Sequence, residues 1–210
     1  WCPHPAIDYM RTAIALVRQE YPDLPYCFSF DGENTHFYRE RDLSFFDLAE
    51  HHIWMTKLNK QQFYHEVGQA KDGRFTEEAY HLLADHALDV YHNKEDYWKQ
   101  LLVDGIQTLA ADSKAAGLPL ATTECWGITD YKDFPMLPWD WVKDLCARGV
   151  ETACQTGQWA LMATSNFAAP QFCGMWRDVA WHQRLTTMIH EAPLPPEAEK
   201  TALGRTMRWK

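Results

Sequence analysis

Apolar residues return at helical spacing near the start of the chain: Ile7, Met10, Ile14 and Val17 predict an amphipathic helix from Ala6 to Glu20. Pro22 and Pro25 stop it, and the aromatic run Tyr26 to Phe30 reads as a short strand ending in the polar turn Asp31-Gly32-Glu33-Asn34. A short helix is expected around His36 to Asp42. A second apolar run, Phe45 to Trp54, is interrupted by Glu50, His51 and His52. Residues 55–75 are polar and carry Gly68 and Gly73, which predicts a long excursion with room for one turn of helix. Thr76 is placed to cap a helix running to about His92. Another helix opens at Asn93 or Lys94 and reaches Ala116, where Gly117 supplies a left-handed end. Leu118 to Thr123 reads as a buried strand, followed by a loop through Pro138 and a helix from Trp139 to about Gln155 that stops at Gly157. The last strand is Trp159 to Thr164. After the loop Ser165 to Gly174, a final helix, Met175 to His190, precedes a Pro-rich tail.

The order is a helix and then strand followed by helix, four times over. Such alternation predicts an α/β fold of parallel strands with right-handed crossovers. A doubly wound nucleotide fold would show a glycine-rich turn after its first strand, and Asp31-Gly32-Glu33-Asn34 lacks GxGxxG. In every unit the reactive side chains follow directly after the strand, which suits a (β/α) barrel, where the C-terminal strand ends carry the chemistry. Four units make half of eight.

Composition narrows the partners. The net charge of -9, with a short basic stretch only at Arg205 to Lys210, argues against nucleic acid. No apolar run approaches the roughly 18 residues of a membrane span. The 10 Trp among 210 residues either fill the core or form flat platforms for sugar rings. Six cysteines form no CxxC pair and sit mostly in apolar runs, which fits buried thiols and weakly favours a reducing, cytoplasmic compartment.

Candidate chemistry collects at the four strand ends: Asp31, Glu33 and Asn34; Glu50, His51, His52 and Trp54; Glu124 and Trp126; Ser165 and Asn166. Alternation puts His52 and Trp54 on one face of their strand and His51 and Ile53 on the other, so one histidine can face the barrel mouth. Glu124 ends a buried strand beside an indole. A charge there is either used or bonded into a neighbouring loop. No metal or cofactor is expected. Although there are 10 His, His51 and His52 diverge and HExxH is missing. No serine has a GxSxG context, and alternation turns Cys125 away from the face of Glu124. What remains is carboxylate chemistry in an aromatic cleft, as in glycoside hydrolysis.

These segments resemble the cellulase-like glycoside hydrolases, relatives of family 5 among the (β/α)8 TIM-barrel enzymes. His52-Ile53-Trp54 is similar to that clan's His-x-Tyr at the sixth strand, with Trp replacing Tyr. Ala121-Thr122-Thr123-Glu124-Cys125-Trp126-Gly127 is similar to the seventh-strand segment that carries the nucleophile. Ala163-Thr164-Ser165-Asn166-Phe167 and Met175-Trp176-Arg177-Asp178-Val179-Ala180-Trp181 resemble the eighth strand and last helix. The resemblance implies Glu124 as nucleophile and His52 as its catalytic neighbour. It implies Trp54, Trp126 and Asn166 as sugar contacts, with Asp31 and Asn34 beside them. The clan's acid/base lies in an Asn-Glu pair at the fourth strand, and no such pair occurs here. Trp1-Cys2-Pro3-His4-Pro5 looks like the loop just after it. The expectation is therefore the C-terminal half of a barrel, about strands five to eight, over residues 1–192, with 193–210 as the tail. The expected activity is retaining hydrolysis of a β-linked carbohydrate, with the fragment inactive alone. A non-catalytic carbohydrate-binding barrel and a self-assembling half-barrel are the rival readings; the oligomeric state stays open.

Overall fold

The computed structural model describes residues 4–69, 76–129, 137–165, 177–202 and 204. Helix α1 (His4–Glu20) leads to β1 (Ser29–Asp31) and the single turn α2 (Phe37–Glu40). Strand β2 (Ala49–Trp54) runs through a 3-10 turn, Met55–Lys57, into α3 (Leu58–Val67). Helices α4 (Glu77–Asn93) and α5 (Glu95–Ala115) precede β3 (Leu120–Thr122) and β4 (Cys125–Trp126). Helix α6 (Asp140–Thr156), β5 (Trp159–Met162), α7 (Val179–Glu191) and a 3-10 turn at Pro196–Lys200 complete the order.

All strand pairs are parallel, in the order β1-β2-β3-β5, with β4 also on β2. The register sets Ser29 beside Glu50 and Asp31 beside His52. It also sets Trp54 beside Trp126. Strands β2 and β3, each paired on both sides, are almost wholly buried, as parallel strands between helices are.

Helices α4 and α5 lie close to where periodicity puts them. The Thr76 hydroxyl accepts the Ala79 N–H at 3.2 Å. Gly117 (φ 69) and Gly157 (φ 64) take the left-handed conformation that closes α5 and α6. The strands are shorter than expected. Tyr26 leaves the ladder because its backbone N–H and C=O both bond Asp47. Phe45 and Phe46 pack as a ring pair before β2 begins. The expected strand Leu118 to Thr123 is split, with a bend at Thr123 and Glu124 between β3 and β4. The last helix starts at Val179, capped by Asp178 accepting the Trp181 N–H at 3.1 Å, so Arg177 and Asp178 lie outside it. Met175 and Trp176, also assigned to it from sequence, lie outside the described residues.

The excursion after β2 holds more helix than its polarity suggested. Within α3, Asn59, Lys60 and Gln61 carry φ of 48, 56 and 64, three consecutive non-glycine residues in the left-handed region. Each costs about 1–2 kcal/mol. The turn is held by Glu33, which accepts the Lys60 N–H, and by Tyr97, whose hydroxyl accepts from Asn59.

The core is strongly aromatic. Phe63 packs on Trp98 and Trp141 with ring centroids 5.3 and 5.4 Å apart, and Tyr91 joins Trp141 at 5.3 Å. Such pairs add about 0.5–1.5 kcal/mol each beyond the area they bury. Two carboxylates tie the periphery together. Asp112, wholly buried on α5, accepts from Thr35 at 2.5 Å, pairs with Arg39 and lies 3.1 Å from His36 Nδ1. Asp47 accepts from Arg18 at 2.6 Å and from the backbone of Tyr26 at 2.9 Å and Ala202 at 3.0 Å. The segment after α7 thus packs on the body, with Ala198 and Ala202 buried.

Candidate active site

Strand β2 is the axis of the site. Its alternation sends Glu50, His52 and Trp54 to one face and His51 and Ile53 to the other. His51 is a structural group. Its Nε2 lies 2.8 Å from the Gly32 carbonyl, so Nε2 carries the hydrogen, and Nδ1 lies 3.2 Å from the Tyr38 hydroxyl. Burial holds it below the ordinary histidine range. It thereby anchors the Gly32 turn, where φ of 126 requires glycine, and with it Asp31 and Glu33.

His52 faces the strand ends. Its Nδ1 lies 3.5 Å from Glu124 Oε2, and its Nε2 lies 2.9 Å from Ser29 Oγ and 3.3 Å from Glu50 Oε2. The bend between β3 and β4 leaves Glu124 partly exposed, at 32% of its side chain. Glu50 is buried and fully engaged. Ser29 donates to Oε2, while Thr123 donates from N at 3.1 Å and from Oγ1 at 2.8 Å to Oε1. Burial alone would raise its pKa, but bonds from His52, Ser29 and Thr123 outweigh it and hold the carboxyl at about 2. His52 is raised above its ordinary value, chiefly by the bond to Glu50 against the opposing cost of burial.

Glu124 and His52 are thus in contact. Asp31 lies beside His52 in register and pairs with Lys57, lining a cavity of about 300 Å³ with Glu33, Lys60 and Gln61. Asn34 spends its carbonyl on the His36 N–H at 3.2 Å, closing its own turn. Asn166 lies outside the described residues. The two tryptophans differ from expectation. Trp126 is 0% exposed, bonds the Ala163 carbonyl through its indole N–H at 3.1 Å and lies flat on Gly149. Trp54 is 1% exposed. So enclosed, neither offers a ring face to a sugar. Glu50 is the residue that strand-end reasoning left unassigned. Its signal was its place two residues before His52, which alternation puts on the same face.

Cys125 is buried, and burial, reinforced by Cys146 and the charges of Glu50 and Glu124, raises its thiol well above the usual range. It is a packing residue and a poor nucleophile. Among the described residues, no three His, Cys, Asp or Glu side chains group as a metal ion would need. Among them too, no helix is long and apolar enough to cross a membrane.

A partly exposed glutamate at the end of a parallel strand is thus in contact with a histidine from the neighbouring strand. The sequence model of the sugar-binding cellulase-like family matches residues 1–190, and the chain belongs to that family. A solved structure from Parabacteroides distasonis, described as a candidate glycoside hydrolase, is 45% identical and superimposes with a TM-score of 0.90 over 98% of this chain. The chain spans 55% of that protein's length. No curated protein sequence matches it.

Proposed function

We propose that this chain is the C-terminal half of a (β/α)8 barrel that hydrolyses a β-linked glycan or glycoside with retention, residues 1–192 forming the half-barrel. Glu124 is the nucleophile and His52 its neighbour. The contact between Glu124 and His52 at the ends of two adjacent parallel strands carries this reading. In the first step Glu124 attacks the anomeric carbon while an acid protonates the departing oxygen; in the second, water releases the sugar and Glu124. The proton donor is assigned upstream of Trp1. Glu50 is unsuited to that task, since both its oxygens are held by donors and its carboxyl stays ionised.

The flanks support the half-barrel. Among the described residues β1 pairs only with β2 and β5 only with β3. Exposed apolar side chains gather on the flanking elements: Tyr9, Leu16 and Val17 on α1, Leu161 on β5 and Val179 on α7. Unpaired strand edges with apolar neighbours are surfaces that need covering.

Inactivation of the full-length protein with 2-fluoro-glycosides, followed by peptide mass spectrometry, tests the assignment. The label is expected on Glu124, and Glu124→Gln is expected to lose turnover by orders of magnitude while keeping its fold. A label on another carboxylate, or a Gln variant with normal turnover, overturns it. Carbohydrate binding without turnover by the full-length protein would instead identify a binding barrel.

A further inference from the structure

We propose that Glu50 is a positioning residue that keeps His52 doubly protonated, so that His52 presents a cation to Glu124. The catalytic meaning of this proposal rests on the reading of Glu124 as nucleophile. The proposal itself follows from counting hydrogens around three side chains.

Ser29 has one hydroxyl hydrogen, and it is donated to Glu50 Oε2. Ser29 Oγ therefore meets His52 Nε2, 2.9 Å away, only as an acceptor. Glu50 Oε2, 3.3 Å from the same nitrogen, is an acceptor as well. Nε2 must carry a hydrogen. If Ser29 instead gave its hydrogen to His52, its lone pairs would face the Glu50 carboxylate with nothing between them. At the other side of the ring, Nδ1 faces Glu124 Oε2 at 3.5 Å. A bare Nδ1 would turn its lone pair toward that carboxylate, whereas a hydrogen there makes the contact attractive. Both nitrogens protonated make an imidazolium, a cation between two carboxylates.

The surrounding charges agree. Glu50 on the same strand, Glu124 beyond β3 and Asp31 on the neighbouring β1 all favour the cation. His51 opposes it, but burial keeps that ring neutral. Lys57, the nearby ammonium, is tied to Asp31. Glu50 in turn is fixed by Thr123, the residue preceding Glu124, so one carboxylate orients both the imidazolium and the bend that presents the nucleophile. The positive ring thereby faces Glu124, the group that attacks, at 3.5 Å, where opposite charges attract.

The test is nitrogen-15 NMR of the histidine rings in the full-length protein. Both nitrogens of His52 are expected to be protonated at pH 7. In Glu50→Gln the His52 titration is expected to fall by about one pH unit or more, the effect of losing an adjacent opposite charge. The alkaline limb of kcat/KM should fall with it, and Glu50→Asp, which keeps the charge, should restore much of the shift. A neutral His52 at pH 7 in the unaltered protein overturns the proposal, as does an unmoved titration in Glu50→Gln. If Glu50→Gln does not fold, the spectrum of the unaltered protein decides alone. The spectrum does not depend on turnover, so failure of the nucleophile assignment would appear in the labelling experiment while the His52 titration stayed as stated.

Discussion

Gly149 on α6 lies against the indole of Trp126 so closely that a Cβ at this position would sit 2.6 Å from Cγ and Cδ2 of the ring. Glycine within a helix normally costs about 1 kcal/mol relative to alanine. Here the indole reverses that balance, since Trp126 is wholly enclosed and has no room to retreat. Gly149→Ala is expected to destabilise the protein by about 1–3 kcal/mol, the cost of overpacking. A urea unfolding midpoint that rises in this variant would contradict the packing described.

His52→Ala removes the ring that faces Glu124 and leaves Glu50 without its partner. Turnover of the full-length enzyme is expected to fall by about 10² to 10³-fold, as when one donor to a reacting charge is deleted. The loss should lie in kcat more than in KM. A rise in KM with kcat unchanged would contradict this role.

Stability should depend on pH through the same strand. Glu50 is held at about 2 against an ordinary 4.5, so its contribution is complete above 4.5 and is lost as pH falls toward 2. His51 is lowered from 6.5, so its neutral ring stabilises above 6.5 and that gain is lost as pH falls through its lowered value. His52 is raised, so its contribution is complete below 6.5 and is lost as pH rises through its raised value. The three together place the optimum of this cluster near pH 6.5. Urea midpoints measured between pH 3 and 9 should decline on both sides, and His52→Asn should flatten the alkaline side. An unaltered alkaline slope in that variant would refute the assignment.

Thiol labelling probes the core. Burial pushes Cys146 up to about 12 and raises Cys125 further from reactivity. At pH 8 roughly one Cys146 in 10⁴ is a thiolate, the form that reacts. Both should resist iodoacetamide in the native protein and react promptly in urea, as read by mass spectrometry. Rapid native labelling of Cys125 would mean that the bend beside Glu124 opens easily.

Asp112→Ala removes the carboxylate shared by Thr35, His36 and Arg39. Because Arg39 is half exposed and can return to water, the expected cost is about 1–3 kcal/mol rather than that of a fully buried ion pair. The thermal midpoint checks this. The loss should extend to the site, since α2 carries Tyr38, whose hydroxyl contacts His51.

Much of this architecture was legible in the residues. Helical periodicity, the Thr76 cap and the glycines at 117 and 157 mark α4, α5 and α6 because each is a local effect. The parallel sheet followed from strand and helix alternating, and the contact of His52 with Glu124 from reading the strand ends together. What escaped was set by long-range partners. Tyr26 leaves the ladder for Asp47, 21 residues away. The left-handed turn at Asn59 to Gln61 is held by Glu33 and Tyr97, and nothing in its own composition marks it. Trp126 looked like a sugar platform because an indole beside a strand-end glutamate suits either role. Gly149, which fits against it, lies on α6.

The bond from Ala202 to Asp47 closes 155 residues of chain onto a carboxylate that also receives Arg18 from the first helix. During synthesis α1 and Asp47 are made well before the last donor, Ala202, 155 residues after that acceptor. Closure of this contact is therefore a late step of assembly, since such distant closure is slow compared with local helix formation.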